Sequence, residues 1–150
     1  MIFKPFKFKK LEIHIWTVLL FVLSYFFDFL EILVISYIIT AIHETAHILT
    51  AKRCKIKTEA VEILPFGITM RIAGSNIADT SDEIKIASAG PLSNFLIAYF
   101  TYGFYNGDFK LYIITASIAM GIFNLLPALP LDGGRIMRAI LVRKLGHIRG

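Results

Sequence analysis

From Ile32 to Ala51 the chain is apolar, and every acidic, basic or imidazole side chain in that stretch falls in one cluster, His43-Glu44-Thr45-Ala46-His47. A helix needs about 20 predominantly apolar residues to cross the ~30 Å hydrocarbon layer of a bilayer. The stretch has that length. In lipid, only a helix or a closed barrel satisfies its own backbone. Three similar stretches accompany it: Leu11–Phe27, Ile84–Phe104 and Leu111–Leu126. The last is short and runs directly into Pro127 and Pro130. The 56% hydrophobic content exceeds that of most soluble domains of this size. Four buried helices of a water-soluble bundle would each need a polar face, which these segments largely lack. The expected fold is an all-α polytopic membrane protein of about four transmembrane helices, in one domain covering residues 1–150.

The net charge of +5 is distributed in a way that argues against nucleic acid as a partner. Lys4, Lys7, Lys9 and Lys10 precede the first span, and Lys52, Arg53, Lys55 and Lys57 follow the second. Arg135, Arg138, Arg143, Lys144 and Arg149 follow the fourth. The opposite connections carry Asp28, Glu31 and Asp108, with Lys110 as their one basic residue. This is the positive-inside pattern, and it predicts a multi-pass protein with both termini cytoplasmic. Lysines before an apolar run also mark signal peptides. No small-residue cleavage site follows, so the first span is read as retained. Cys54 is the only cysteine, which excludes a disulfide framework.

Between the second and third spans, Thr58–Ala73 mixes β-branched residues around Pro65-Phe66-Gly67, which predicts a small β-hairpin over 58–73. The third span contains Ala89-Gly90-Pro91-Leu92-Ser93-Asn94. There the proline predicts a kink, and the glycine permits close approach of a neighbouring helix. Gly133–Gly146 reads as a basic amphipathic helix.

The cluster in the second span carries the chemistry. H-E-x-x-H on a helix sets two imidazoles one turn apart on one face, the arrangement that binds zinc, with a glutamate beside them suited to general-base work. A lone intramembrane histidine is ordinarily a packed, hydrogen-bonded residue. Three clustered ionisable groups, each costing about 2.5–3.5 kcal/mol at mid-span, require a compensating partner, and Zn²⁺ supplies one. A catalytic zinc takes three protein ligands. With His43 and His47 as two, the candidates for the third are Asp132, His14 and Glu12. Asp132 is favoured: the fourth span ends early at its prolines, so Asn124–Asp132 is expected to stay extended at the depth of the histidines. Gly133-Gly134 would then turn the chain. Asn94 and Asn124 are intramembrane amides suited to binding substrate backbone or an oxyanion, although helix–helix hydrogen bonding is the commoner role.

The pairing of His43-Glu44-Thr45-Ala46-His47 with Leu131-Asp132-Gly133 resembles the site-2 protease family of intramembrane zinc metalloproteases, and most of all its sporulation type (stage IV sporulation protein FB-like). The Pro65-Phe66-Gly67 turn, the Ala89–Asn94 segment and Asn124-Leu125-Leu126-Pro127 leading to Pro130-Leu131-Asp132-Gly133-Gly134 add to the likeness. The resemblance implies that His43, His47 and Asp132 bind zinc and that Glu44 activates water. It also implies a membrane-associated protein substrate such as a pro-sigma factor, regulatory partners in the membrane, and a place in a bacterial cell membrane. Members generally continue with further helices, and the sporulation type with a nucleotide-sensing domain. This chain stops at Gly150, so either a truncated or minimal core, or regulation by partners, is expected. Two other readings stand beside this one: a membrane-anchored zinc peptidase acting on soluble peptides, and a non-catalytic zinc-binding membrane protein.

Overall fold

The computed structural model describes residues 6–8, 11–13, 15–56, 58–64, 67–72 and 80–145. In chain order the elements are β1 (Phe6–Phe8), β2 (Leu11–Ile13), α1 (Ile15–Phe26), α2 (Leu30–Arg53), β3 (Thr58–Leu64), β4 (Gly67–Ile72), α3 (Thr80–Phe104), α4 (Lys110–Asn124) and α5 (Asp132–Leu145). His14, the Pro65-Phe66 pair and Gly146 lie outside the described residues.

Helices dominate. One expected boundary shifts. The first apolar stretch does not begin as helix: Leu11–Ile13 is strand, and α1 keeps 12 residues, about 18 Å of rise. The third helix starts at Thr80, ahead of the apolar stretch, and keeps Pro91 inside it. Among the described residues, α2 is the one helix long and apolar enough to cross a membrane, and α1 and α4 are shorter apolar helices.

The strands form one sheet in the order β1-β2-β3-β4. β1 and β2 pair antiparallel, β2 and β3 parallel, and β3 and β4 antiparallel, with Leu64 opposite Gly67 and Thr58 opposite Ile72. The sheet packs beside α2 and α1.

Two tight helix stops set the helix ends. Asp28 adopts φ 57° after α1, and the Phe29 amide donates to the Ser24 carbonyl. Lys55 adopts φ 59° after α2, where the Ile56 amide donates to Ala51 and the Lys55 amide to Lys52. Both are the left-handed closure that satisfies the last carbonyls of a helix. Beyond the second stop, Lys85 donates to Asp82 at 2.8 Å, and that bond, with a smaller contribution from Cys54, holds the Asp82 carboxyl below the usual carboxylate range.

α3 is the centre of the fold and packs against α2, α4 and α5. Its buried residues Glu83, Ile86, Ala87, Gly90, Pro91, Asn94 and Ala98 recur at helical spacing and are mostly small or polar. The same holds across the molecule. The buried hydrophobic residues described are Ile39, Ile86 and four alanines, while Trp16, Phe26, Ile38, Leu49, Tyr99, Phe104 and Leu111 are exposed. A water-soluble protein would hide its large apolar side chains and rarely exposes wide apolar patches. Small residues between helices and large apolar ones outside are the arrangement that suits lipid.

The segment after α4 is folded on itself and is not extended as expected. The Leu126 amide donates to Phe123, Ala128 to Leu126 and Leu131 to Ala128, at 2.8–3.1 Å. Short turns satisfy this backbone internally, as a non-helical segment needs when away from water. α5 begins at Asp132, so Gly133 and Gly134 do not form a turn beyond it; they lie in the helix's first turn. A Cβ on Gly133 would strike the carbonyl oxygens of Leu125 and Leu126, and one on Gly134 would sit 2.6 Å from the Ala128 carbonyl. The glycines let the start of α5 dock directly on the turns.

Candidate metal centre

His43 and His47 lie one turn apart on α2 and face α3, where their rings meet nearly at right angles (81°) with centroids 4.7 Å apart. Their Nε2 atoms are 3.1 Å apart. The docking of α5 brings Asp132 to the same point, with Oδ2 3.2 Å from each Nε2. All three residues are buried, at 2%, 3% and 6% relative exposure. Among the described residues this is the one group of three or more side chains able to hold a metal ion.

Partners behind the three groups fix their orientation. His47 Nδ1–H donates to the Ile86 carbonyl at 2.6 Å, which leaves the Nε2 lone pair pointing at Asp132. Asn94 Nδ2 lies 3.1 Å from His43 Nδ1. Asp132 stands in the first turn of α5, where the helix dipole favours negative charge, and Arg135 Nη1 is 3.6 Å from its Oδ1. Farther along α5, Arg138 donates to the largely buried Glu83 of α3 and ties the two helices together. Gly90 of α3 lies flat against both imidazoles: a Cβ there would strike His47 Nε2 and come within 2.6 Å of His43 Nε2.

The donor set fits a tetrahedral zinc. With bonds of about 2.0–2.1 Å, ligand atoms around such an ion stand roughly 3.3 Å apart, close to the observed triangle of 3.1, 3.2 and 3.2 Å. Two imidazole nitrogens and a carboxylate oxygen converging in a buried site repel one another unless protons or a cation lie between them.

Glu44 follows His43 on α2, is half-buried, and is not one of the three converging groups. The two amides are placed apart. Asn94 is fully buried behind His43, while Asn124 is half-buried at the end of α4 and donates to the Met120 carbonyl at 3.0 Å. Of the candidates for the third ligand, Asp132 joins the histidines; Glu12 lies in β2, and His14 is outside the described residues. Sequence reasoning did not anticipate the Ile86 carbonyl, the Asp132–Arg135 contact or the Glu83–Arg138 pair. A backbone carbonyl leaves no trace in a residue pattern, and the sequence does not say which of the many bases on the last helix would face Glu83.

Known proteins resemble this chain in sequence and in fold. The chain is 33% identical to the zinc metalloprotease MJ0392 of Methanocaldococcus jannaschii over 93% of its own length and 44% of that protein's. It is 23% identical to stage IV sporulation protein FB of Bacillus subtilis over 91% of its own length and 49% of that protein's. The chain therefore spans about half the length of these curated relatives. Among solved structures it superposes on the site-2 protease from Methanocaldococcus jannaschii with a TM-score of 0.72 at 30% identity, covering 97% of this chain and 74% of that one. Residues 31–107 and 106–149, which hold both histidines and the aspartate, match peptidase family M50, and the chain belongs to that family.

Proposed function

We propose that this chain forms the membrane-embedded core of a zinc metalloprotease that hydrolyses a peptide bond within or next to a membrane segment of a protein substrate, near the cytoplasmic face. The observation that carries the reading is the buried convergence of His43, His47 and Asp132 in a helical bundle whose large apolar side chains face outward. His43 and His47 would hold the metal through Nε2 and Asp132 through Oδ2. When bound, zinc supplies Lewis-acid polarisation of the scissile carbonyl and makes water a nucleophile near neutral pH. Glu44 takes the proton of the attacking water on its carboxylate and delivers it to the leaving amine nitrogen. Arg135 and the start of α5 hold the Asp132 carboxylate in place, and the Ile86 carbonyl holds the His47 ring.

A helical substrate hides its peptide bonds in its own hydrogen bonds and must unwind to be cut. The β3–β4 pair at the sheet's edge suits holding an unwound segment by strand addition. Sporulation-type processing of a pro-sigma factor is the narrower substrate reading, and likeness to stage IV sporulation protein FB supports it.

The test is Glu44→Gln with a membrane-embedded substrate and a soluble peptide of the same cleavage sequence. Cleavage of the embedded substrate should stop in the variant and in chelator-treated wild type, while the variant keeps its zinc. Undiminished cleavage by the variant overturns the mechanism. Preference for the soluble peptide would make the chain a membrane-anchored peptidase, and a zinc-loaded wild type that cuts neither would make it a non-catalytic zinc protein.

A further inference from the structure

His47 and His43 look alike in the triad but are supported differently. Behind His47 stands a backbone carbonyl, which can only accept a proton. Behind His43 stands a carboxamide, which can either donate or accept. Two hydrogen-bond patterns are therefore open to the His43–Asn94 pair. If the amide nitrogen donates to Nδ1, neutral His43 carries its proton on Nε2, pointing at His47 and Asp132. If the carboxamide turns by half a revolution, Oδ1 accepts from Nδ1–H and Nε2 is left bare.

Burial favours the second pattern. Asn94 is 0% exposed, and its Oδ1 has no hydrogen-bond partner in the first arrangement. In the half-turned arrangement that oxygen accepts from His43 Nδ1–H, and His43 Nε2, which converges with His47 Nε2 and Asp132 Oδ2, is left without a proton. The two ends of a carboxamide have nearly the same shape, so the turn requires no repacking.

We propose that Asn94 is a positioning residue that selects the Nδ1–H form of His43 by accepting that proton at Oδ1, and so opens Nε2 as a metal ligand. This rests on the zinc-site reading above. It replaces contact with substrate as the role of Asn94, because the amide faces the rear of His43 and not the convergence point. Outer partners of metal-bound histidines fix the tautomer and ring orientation in this way, and losing one lowers metal affinity about 10–100-fold.

The experiment is zinc affinity of the full chain in detergent, by competition with a chromophoric chelator, for wild type, Asn94→Leu and Asn94→Asp. Nitrogen-15 spectra of the histidine rings in zinc-loaded wild type accompany it. Asn94→Leu should weaken binding about 10–100-fold. Asn94→Asp, which can only accept, should stay near wild type, and the spectra should show His43 protonated on Nδ1 and zinc on Nε2. Equal affinity in Asn94→Leu and wild type overturns the proposal. So does Asn94→Asp as weak as Asn94→Leu, which would show that accepting the Nδ1 proton is not what the residue supplies. Zinc found on Nδ1 overturns it without any variant. A wild type that binds no zinc removes the metal site itself, and with it both readings.

Discussion

Gly90 of α3 lies against the His47 ring of α2 with no room for a methyl group between them. The obstacle is Nε2 of a ring already held by a hydrogen bond from its Nδ1 to Ile86, so it cannot swing aside without losing that bond. Overpacking a filled site costs about 1–3 kcal/mol, and ~1.4 kcal/mol is tenfold in a binding constant. Gly90→Ala should therefore weaken zinc binding by roughly tenfold or more while the protein remains folded. Gly103→Ala is the control: nothing lies within 4 Å of a Cβ at that position on the same helix, so affinity should not change. Titration of both variants against a zinc chelator checks the pair.

The site was more legible in the sequence than the fold that holds it. Helical spacing alone places His43 and His47 on one face, and the ending of the fourth apolar stretch at its prolines singled out Asp132. The route from α4 to that aspartate was not legible. An extended path and a run of turns both fit Asn124–Asp132 by length, and only the hydrogen bonds among residues 123–131 choose between them. Gly133 and Gly134 read as turn residues because glycine signals turns more often than close packing. Their neighbours, the carbonyls of Leu125, Leu126 and Ala128, belong to the chain's own preceding turns. Leu11–Ile13 was missed because a short apolar strand that leads into a helix has no period long enough to separate it from that helix.

Glu83 and Arg138 hold the aspartate-bearing helix to the bundle. Glu83 is buried with 8% exposure, and Arg138 is its partner from α5. Removing that partner leaves a buried carboxylate short of a hydrogen bond, a loss of about 1–3 kcal/mol. Arg138→Leu should lower the thermal midpoint and weaken zinc binding together, since α5 carries Asp132. Glu83→Gln should do less, because a neutral amide is cheaper to bury than a charge. Thermal unfolding of the detergent-solubilised variants, followed with and without zinc, measures both effects. Equal midpoints for all three proteins would show that the pair contributes nothing to docking.

Asp132 contributes the only negative charge among the three converging groups. Its removal should cost more than the roughly 10–100-fold typical of an outer partner. Elemental analysis of purified wild type should find about one zinc per chain, as three ligands plus an open position imply. Asp132→Ala should lose most of it. Full retention in the variant would move the third ligand to another residue.

The two ends of the helical bundle differ in charge, and that difference predicts an orientation. Ser36 near the start of α2 bonds to Tyr112 near the start of α4 at 2.6 Å, which puts Asp28, Glu31 and Asp108 towards one end. The influence of Cys54 on the Asp82 carboxyl places Lys52, Arg53 and Lys55 at the other, with the start of α3. Basic residues are retained on the cytoplasmic side during insertion, so the acidic end should face outward. Asp108 and Lys144 are both exposed and suit labelling. In a Cys54→Ser background, Asp108→Cys should react with a membrane-impermeant maleimide on intact cells. Lys144→Cys should react only after the cells are opened. The opposite pattern would place the metal site nearer the outer face and reverse the side from which water and substrate reach it.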